Sequence, residues 1–263
     1  MLVVGDAIVD EYVYVQPIGK SIKEDVISVL YDETESFDGG VSAGANHLRD
    51  FCRTVDVMYG DSVMINRRFV DKNNMRKLFT VHEKRSCFPK SADIGDYDVV
   101  IVTDFGHGFI TSKLIDRLST EAQFLAVNAQ TNSTNIGFNL VTKFPRAELV
   151  VVDQLEARLA VHDRISPIDK VILKLGFRHV IVTMGDHGAI GYDGQFHTAE
   201  AKADAVVDTM GAGDAFLCVT APFSRAGVSM PDLLRIGNAA GAVKVRSVGN
   251  RSPVTRAALE KYL

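Results

Sequence analysis

The sequence predicts an α/β fold in which a mainly parallel sheet is covered by helices on both faces. Short runs rich in β-branched residues alternate with helical patterns. The runs are LVVG from Leu2, DVVIVT from Asp98, FLAVN from Phe124, LVVVD from Leu149 and HVIVTMG from His179. Candidate helices lie between them near Thr111–Ala122 and Pro167–Gly176. This alternation is typical of a buried parallel sheet, whose ligands gather at the carboxyl ends of the strands.

The rest of the chain supplies a flap and a helical end. Residues Tyr12–Phe37 alternate in polarity with no helix before Gly39, which predicts a small antiparallel flap outside the main sheet. A second strand-rich stretch, Arg67–Glu83, has KNN as a turn between two runs. From Gly211 onward the pattern predicts helices. At 263 residues the chain is near the upper limit for one domain, so we expect a single domain over residues 1–263, with residues 12–37 contributing a β lid.

Composition and charge narrow the classes of partner. The 29 basic and 33 acidic residues give a net charge of −4, which predicts no binding to nucleic acid or to an acidic membrane. No apolar run approaches the roughly 18 residues of a membrane span, and no basic segment precedes the apolar N-terminus. Cys52, Cys87 and Cys218 form no CxxC pair, which predicts reduced thiols that serve in packing. These features predict a cytoplasmic protein.

Two glycine motifs that suggest nucleotide binding are incomplete. IGKS at Ile18–Ser21 lacks the first glycine of a Walker A loop, because that position is Tyr14. GAGDAF from Gly211 lacks the third glycine of a dinucleotide fingerprint, and no βαβ unit follows it. The sequence therefore predicts neither a Walker P-loop nor a Rossmann oxidoreductase.

The segment VVDTMGAGDAF, Val206–Phe216, carries the clearest chemical signal. Glycines at a helix start let backbone N–H groups converge, and the helix dipole adds partial positive charge, so Gly211, Ala212 and Gly213 can hold an anion. Asp214, in the first turn, would face that anion and could accept a proton from a hydroxyl that attacks a γ-phosphate. Taken alone, the segment could equally be a simple loop in which Asp214 only complements the helix dipole.

Several motifs, in order along the chain, resemble the ribokinase/PfkB carbohydrate kinase family. DTMGAGDAF is similar to the family's DTxGAGD signature, and GDAIVDEY, GGVSAGAN and IVTMGDHGAIGYDG resemble its other elements. The segment from Val9 to Gly40 and, more loosely, DFGHGFIT resemble the heptose-7-phosphate kinase domain of the bifunctional heptose kinase/adenylyltransferase. The resemblance implies a ribokinase-like fold with a small β lid. It also implies phosphorylation of a sugar or sugar phosphate hydroxyl, with ATP and Mg²⁺ as cofactors.

The resemblance also implies roles for individual residues. Asp214 would be the catalytic base, with Gly211, Ala212 and Gly213 as the anion hole. The implied substrate-binding residues are Asp10, Gly39, Gly40, Asn46, Asp104 and His107. The implied nucleotide-binding residues are Thr183, Gly185, Gly188, Asp208, Thr209 and Asn238. The family's NxxE element, here DQLE, implies a magnesium role for Asp153 and Glu156.

Departures from the family pattern leave alternatives open. Asp153 stands where the family has asparagine, and it is still a competent oxygen ligand. His107 stands where the heptose kinase branch usually has lysine, so its contact with a substrate phosphate depends on its charge. Gly39–Asn46 is longer than usual, and the stretch from Cys52 is shorter. The alternative is therefore a PfkB-like module that binds nucleotide or sugar with little turnover. A homodimer through the lid and a linked or associated nucleotidyltransferase are further expectations.

Overall fold

The computed structural model describes residues 1–263 and confirms the predicted α/β architecture. The strands are β1 (Leu2–Gly5), β2 (Ala7–Lys20), β3 (Ile27–Gly39), β4 (Asp56–Met58), β5 (Ser62–Asp71), β6 (Lys77–Ser86), β7 (Val100–Asp104), β8 (Leu125–Ala129), β9 (Leu149–Asp153), β10 (Val180–Thr183), β11 (Ala189–Tyr192) and β12 (Phe196–Ala199). The α-helices are α1 (Gly40–Leu48), α2 (Ser112–Glu121), α3 (Gln154–Ala160), α4 (Ile168–Leu175), α5 (Ala212–Arg225), α6 (Met230–Lys244) and α7 (Arg256–Leu259). None of these helices is both long enough and apolar enough to cross a membrane.

The larger sheet has eight strands in the order β12-β11-β10-β9-β8-β7-β1-β4. Strands β4, β1, β7, β8, β9 and β10 are parallel, whereas β11 and β12 add an antiparallel edge. Alternate residues of the parallel strands enter two cores. Leu2 and Val100 pack with α2, α3 and α4 on one face, and Val3 and Ile101 pack with α1, α5 and α6 on the other. Burial on both faces explains why these strands are almost continuously apolar.

Local signals in the sequence place the helix ends. The Thr111 side chain caps α2 by accepting the Leu114 N–H at 3.3 Å. Gly176 ends α4 in the left-handed region with φ +76°. The last predicted helix is shorter than expected, because α7 gives way to a 3₁₀ turn over Glu260–Tyr262. Helix α3 and strands β4, β11 and β12 are additional to the predicted elements.

The second sheet contains the predicted flap and two further strands. Its order is β3-β2-β5-β6, with β2 antiparallel to β3 and parallel to β5. The stretch around KNN forms the β5–β6 hairpin, as the sequence predicts. Both strands of the flap extend beyond the predicted bounds of residues 12–37, because β2 begins at Ala7, directly after β1, and β3 ends at Gly39, directly before α1. We call these four strands the lid sheet. Its attachment places the start of β2 beside the carboxyl edge of the larger sheet.

A close backbone approach at Gly5 brings β1 and β7 together just before Asp6 and Asp104. A Cβ atom added at Gly5 would lie 2.2 Å from the Thr103 carbonyl oxygen. Because that neighbour is backbone within a sheet, relief requires the two strands to separate. Gly241 in α6 is the opposite case, since a Cβ there meets no atom within 4 Å.

Gly5→Ala should therefore lower the free energy of unfolding by about 1–3 kcal/mol, the usual range for overpacking a core. The matched Gly241→Ala change should leave it unchanged or raise it by up to about 1 kcal/mol, because alanine is the better helix former. Chemical denaturation of both variants and the wild type provides the measurement. Equal stability of the two variants would contradict the close approach at Gly5.

Candidate active site

The glycine-rich segment before α5 has the geometry of an anion site. Gly211 is the N-cap, in the left-handed region with φ +76°, and it offers no side chain to the first N–H groups of the helix. Asp214 lies in the first turn and is 5% exposed. Its Oδ1 accepts a hydrogen bond from Gln130 Nε2 at 2.6 Å. The structure therefore brings together Gly211, Ala212, Gly213 and Asp214, as the sequence predicts.

The pKa of Asp214 is shifted toward neutrality. Burial is the largest cause and the charge of Asp10 adds to it, whereas Lys244 and the Gln130 hydrogen bond oppose them, so that the pKa is raised to about 7. A carboxyl group with such a pKa can accept a proton at neutral pH more readily than an ordinary aspartate can. Asp214 thus combines the position and the basicity that a general base requires.

A small cavity of about 220 Å³ connects Asp214 to the ends of β8 and β9. Its lining includes Asn128 and Thr131, whose Oδ1 and Oγ1 atoms are buried without a partner. It shares Asp153, Thr183, Thr209, Ala212 and Gly213 with a larger cavity. Unpaired buried oxygens at the junction of two cavities are suited to a ligand that brings its own donors, such as a hydrated cation.

The larger cavity, of about 980 Å³, contains most of the predicted nucleotide residues. Its lining includes Thr183, Gly185, Gly188, Thr209 and Asn238. Apolar side chains such as Phe216 and Val245 form another part of the wall. Gly188 is required by the turn itself, because a Cβ there would lie 2.0 Å from the Ala199 carbonyl oxygen. The cavity offers a partly apolar wall beside a helix N-terminus, which suits a base and its phosphates.

Asp208 does not line this cavity, although the sequence predicts it as a nucleotide residue. Its carboxylate accepts hydrogen bonds from Tyr12 Oη at 2.6 Å and Lys77 Nζ at 2.9 Å, both on the lid sheet. It also accepts the N–H of Gly249 at 3.0 Å. Burial acts to raise the pKa of Asp208, but these donors outweigh it and lower the pKa to about 2. Asp208 therefore connects the lid sheet to the anion loop.

Asp153 and Glu156 form a reciprocal cap at the start of α3. Asp153 Oδ1 accepts the Glu156 N–H at 2.7 Å, and Glu156 Oε2 accepts the Asp153 N–H at 2.8 Å. Glu156 Oε1 accepts the Thr131 N–H at 3.0 Å. Burial and the Asp153 charge raise the pKa of Glu156 to about 7 against these hydrogen bonds. Both oxygens of Glu156 are thus engaged by backbone, so a magnesium role would act through the loop or a water molecule.

Asp10 lies in a cluster of polar side chains on the lid sheet, which we call the polar group: Asp10, Asn66, Arg68 and His82. It forms an ion pair with Arg68 and accepts a hydrogen bond from Asn66 Nδ2 at 3.3 Å. Asn66 Oδ1 lies 2.8 Å from His82 Nδ1. The start of α1 is pressed against this group, since a Cβ at Gly39 would lie 2.9 Å from Asp10 Oδ2. Gly40 likewise approaches the Asp6 carbonyl oxygen, at 2.3 Å from an added Cβ and with φ +51°.

The loop that carries His107 is held by two buried aspartates. Asp6 accepts the N–H groups of Phe105, His107 and Phe109 at 3.1–3.4 Å. Asp104 forms an ion pair with Lys143 and accepts the Gly106 N–H at 2.9 Å. Asp104 therefore orders the loop, and its contact with substrate stays a prediction. Burial lowers the pKa of His107, although Asp6 opposes this shift.

Asn46 is the predicted substrate residue that the structure does not bring to Asp10. Its Nδ2 donates to Asp38 Oδ2 and its Oδ1 accepts from Arg49 Nε, both at 3.0 Å. It lines a separate cavity of about 660 Å³, together with Arg251. The longer spacing between Gly39 and Asn46 turns this side chain to another face of α1, because successive helix residues differ by about 100°.

Other residues of the site are absent from the sequence prediction. Gln130 and Thr131 directly follow β8, where the rule for parallel sheets favours ligands, so that rule could have identified them. Asn66 and Arg68 are two residues apart on one strand and hence share a face, but only the β2–β5 pairing places them beside Asp10. Lys244 interrupts an apolar helix segment, a pattern that could have indicated a buried charge.

Comparison with known proteins connects this geometry to one family. The model of the pfkB family carbohydrate kinases matches residues 139–257, which include the segment from β9 to α6. The bifunctional protein HldE of Hydrogenovibrio crunogenus is 27% identical over 178 residues, which cover 65% of this chain and 36% of that protein. Fructoselysine 6-kinase of Escherichia coli is 37% identical over 81 residues, 30% of this chain and 31% of that protein. The chain thus matches about a third of the length of each of these two relatives.

A solved structure extends the similarity in fold to nearly the whole chain. Arabidopsis thaliana ribokinase, in complex with ribose and ATP, superposes with a TM-score of 0.72 over 99% of this chain and 97% of that protein. The sequence identity is 16%. The fold is therefore ribokinase-like, as the sequence motifs predict.

Proposed function

We propose that the chain is a member of the pfkB carbohydrate kinases, whose family model matches residues 139–257, and that it transfers the γ-phosphate of ATP to a hydroxyl of a sugar or sugar phosphate. The observation that carries this proposal is Asp214, a buried carboxyl with a pKa raised to about 7, in the first turn of α5 beside Gly211–Gly213. The base and the anion loop therefore lie within one helical turn. In phosphoryl transfer the base must lie beside the attacking hydroxyl, and the N–H groups must lie beside the phosphoryl group that this hydroxyl attacks.

The chemical step follows from this arrangement. The substrate hydroxyl approaches Asp214, which accepts its proton as the oxygen bonds to the γ-phosphorus. The bond from that phosphorus to the β–γ bridging oxygen breaks, and ADP carries the electron pair away. The N–H groups at the start of α5 stabilise the charge on the transferred group. Gln130 holds Asp214 Oδ1, so the other carboxylate oxygen is available to the hydroxyl.

The 980 Å³ cavity is the proposed site of ATP. Its apolar wall suits adenine, and Thr209 and Gly213 line both cavities, so the phosphates would lie at the boundary with the smaller cavity. Magnesium, which when bound neutralises phosphate charge, fits the oxygen-rich smaller cavity, where Asn128 Oδ1 and Thr131 Oγ1 are unpaired. Glu156 would then orient Thr131 through its backbone N–H, 3.0 Å away.

The polar group on the lid sheet is the proposed sugar site. Asp10, Asn66 and His82 supply directed donors and acceptors for sugar hydroxyls. Lys84 Nζ lies 3.5 Å from the His107 carbonyl oxygen, which places a cation at the loop beside this group. That cation favours a substrate that already carries a phosphate, to which His107 would offer a neutral N–H donor, because burial lowers its pKa. Asp104 acts indirectly in this proposal, by ordering the loop.

The assay that separates this proposal from the non-catalytic alternative is an ADP-release screen with pentoses, hexoses and heptoses, free and phosphorylated. Nucleotide binding without ADP release from any of them would favour a module with little turnover. A cytoplasmic location and a linked or associated nucleotidyltransferase remain predictions. The HldE relative is named bifunctional, and this chain covers 36% of it.

Asp214→Asn should reduce kcat at least about a hundredfold, the usual contribution of a general base, without loss of folding. Wild-type kcat/KM should fall as the pH drops below about 7, because the raised pKa leaves the carboxyl protonated there. Asp116→Asn, at an exposed position of α2, is the control and should keep wild-type rates. Rates measured by ADP release from pH 5 to pH 9 test both points. A variant at position 214 with near wild-type kcat would exclude Asp214 as the base.

Glu156→Gln should raise the magnesium concentration for half-maximal rate about tenfold, as expected when a group that orients a metal site is changed. The amide keeps the size of the side chain but loses one acceptor for the backbone N–H groups. Glu148→Gln is the matched control, since Glu148 also accepts a backbone N–H, from Leu125 at 2.9 Å, away from the cavities. Identical magnesium titrations for the two variants would contradict a role for Glu156 at the proposed magnesium site.

The lid sheet should close over the sugar, so substrate should slow amide hydrogen exchange in residues 12–37. The ligand-free segment should exchange fastest in the chain, because β3 is an edge strand with exposed side chains such as Ile27 and Tyr31. Exchange measured by mass spectrometry with and without a turnover-competent sugar provides the test, with β8 as the internal control. Equal exchange in both states would refute closure. Pairing of two lids in a dimer is a separate prediction. It is tested by measuring the molar mass of the protein in solution.

A further inference from the structure

Lys244 is a fully buried cation with no ion-pair partner among the salt bridges of the structure. It is the last residue of α6, and its side chain is 0% exposed. Its ammonium donates to the carbonyl oxygens of Met210 at 2.7 Å and Gly249 at 2.6 Å. A buried ammonium is costly unless it is fully compensated, so this position needs a reason beyond packing.

The two carbonyl groups belong to the loops on either side of the anion site. Met210 immediately precedes Gly211, and Gly249 also donates its N–H to Asp208 at 3.0 Å. A Cβ atom at Gly211 would lie 3.1 Å from Lys244 Cε and 2.6 Å from Asn250 Oδ1. The lysine stem therefore lies directly against the anion loop, and its ammonium links that loop to residues 249–250.

The surrounding charges favour the protonated form. Burial is the largest influence and leaves the pKa of Lys244 below its usual value, although the carboxylates of Asp208, Asp214 and Asp10 oppose that shift. The other charged group that faces it is Lys77 on the lid, which pairs with Asp208. Three acidic groups against one further cation leave the ammonium in a net negative environment.

Backbone carbonyl oxygens that converge on one buried positive charge are the ligands a dehydrated monovalent cation uses. We propose that the Lys244 ammonium is a built-in monovalent cation that positions the Gly211–Gly213 loop for reaction, so that turnover needs no added potassium or ammonium ion. Lys244 does not touch the substrate in this proposal, and it acts through the loop. The rate measurements that test this inference depend on the proposed kinase function. The measurement of melting temperatures in different salts does not.

The first test replaces the cation in the buffer. Wild-type kcat should stay within about twofold when potassium is exchanged for tetramethylammonium at constant ionic strength, since that ion is too large for a carbonyl cage. Lys244→Met keeps most of the stem but removes the charge, and it should reduce kcat at least about tenfold with a smaller change in KM, because the loop acts on the transition state. A wild type that needs potassium for most of its rate would overturn the proposal.

The second test uses Lys244→Ala, which empties the space between the two carbonyl groups. Potassium or ammonium chloride should restore kcat at least about tenfold relative to tetramethylammonium chloride. They should also raise the melting temperature of this variant, but not of the wild type, because an ion that binds only the folded state stabilises it. Lys170→Ala, at an exposed site on α4, is the control and should show neither effect.

The melting temperature of Lys244→Ala in different salts distinguishes failure of the proposed kinase function from failure of the proposed cation site. If no sugar is phosphorylated by the wild type, the proposed function fails, whereas selective stabilisation of Lys244→Ala by potassium would still support the cation site. Melting temperatures of Lys244→Ala that respond equally to potassium and tetramethylammonium would overturn the site whatever the activity. If this variant does not fold, the salt dependence of wild-type kcat decides the question.

Discussion

Burial of six carboxyl groups around the carboxyl edge of the larger sheet is the constraint on which the site depends. An ionised carboxylate without partners is strongly disfavoured in a protein interior, so each group must be paired, hydrogen-bonded or neutralised. Asp10 pairs with Arg68, Asp104 with Lys143, and Asp208 with Lys77, whereas Asp6 and Glu156 accept backbone N–H groups. Asp214 has the single donor Gln130. Its raised pKa follows from this incomplete compensation, which leaves a proton acceptor where the anion loop begins.

The sequence predicted the inner parallel strands of the larger sheet well because they are buried on both faces, whereas it missed β4, β11 and β12. Near-continuous apolar runs leave little ambiguity about β7, β8 or β9, and the ends of α2 and α4 carry their own capping residues. Asp214 and its glycines were also predictable, since they are adjacent in the chain and need no tertiary contact to form a helix start. The same holds for Thr183, Gly185 and Gly188, which follow one strand and its turn.

Other parts of the site depend on contacts between segments that are far apart in the chain. Such contacts cannot be predicted from the residues on either side of each segment. Asp208 is three residues before Gly211 of the anion loop, yet its partners Tyr12 and Lys77 come from the lid sheet. Asn46 lies on α1, but it is on the face of that helix that directs its side chain to Asp38. The β2–β5 pairing that brings Asn66 and Arg68 to Asp10 joins residues more than fifty positions apart. No local pattern specifies that register.

The lid sheet and the core serve the anion loop in different ways. Lys244 reaches it from α6, is fully enclosed and donates to Met210 and Gly249, which lie outside the lid sheet. Lys77 and Tyr12 reach Asp208 from the lid, and opening the lid would break both contacts unless water replaced them. If lid opening also exposed Asp214 to water, its pKa would fall, because burial is the largest cause of the shift. Closure over a sugar would therefore raise the basicity of Asp214 at the same step that excludes water from the phosphoryl group.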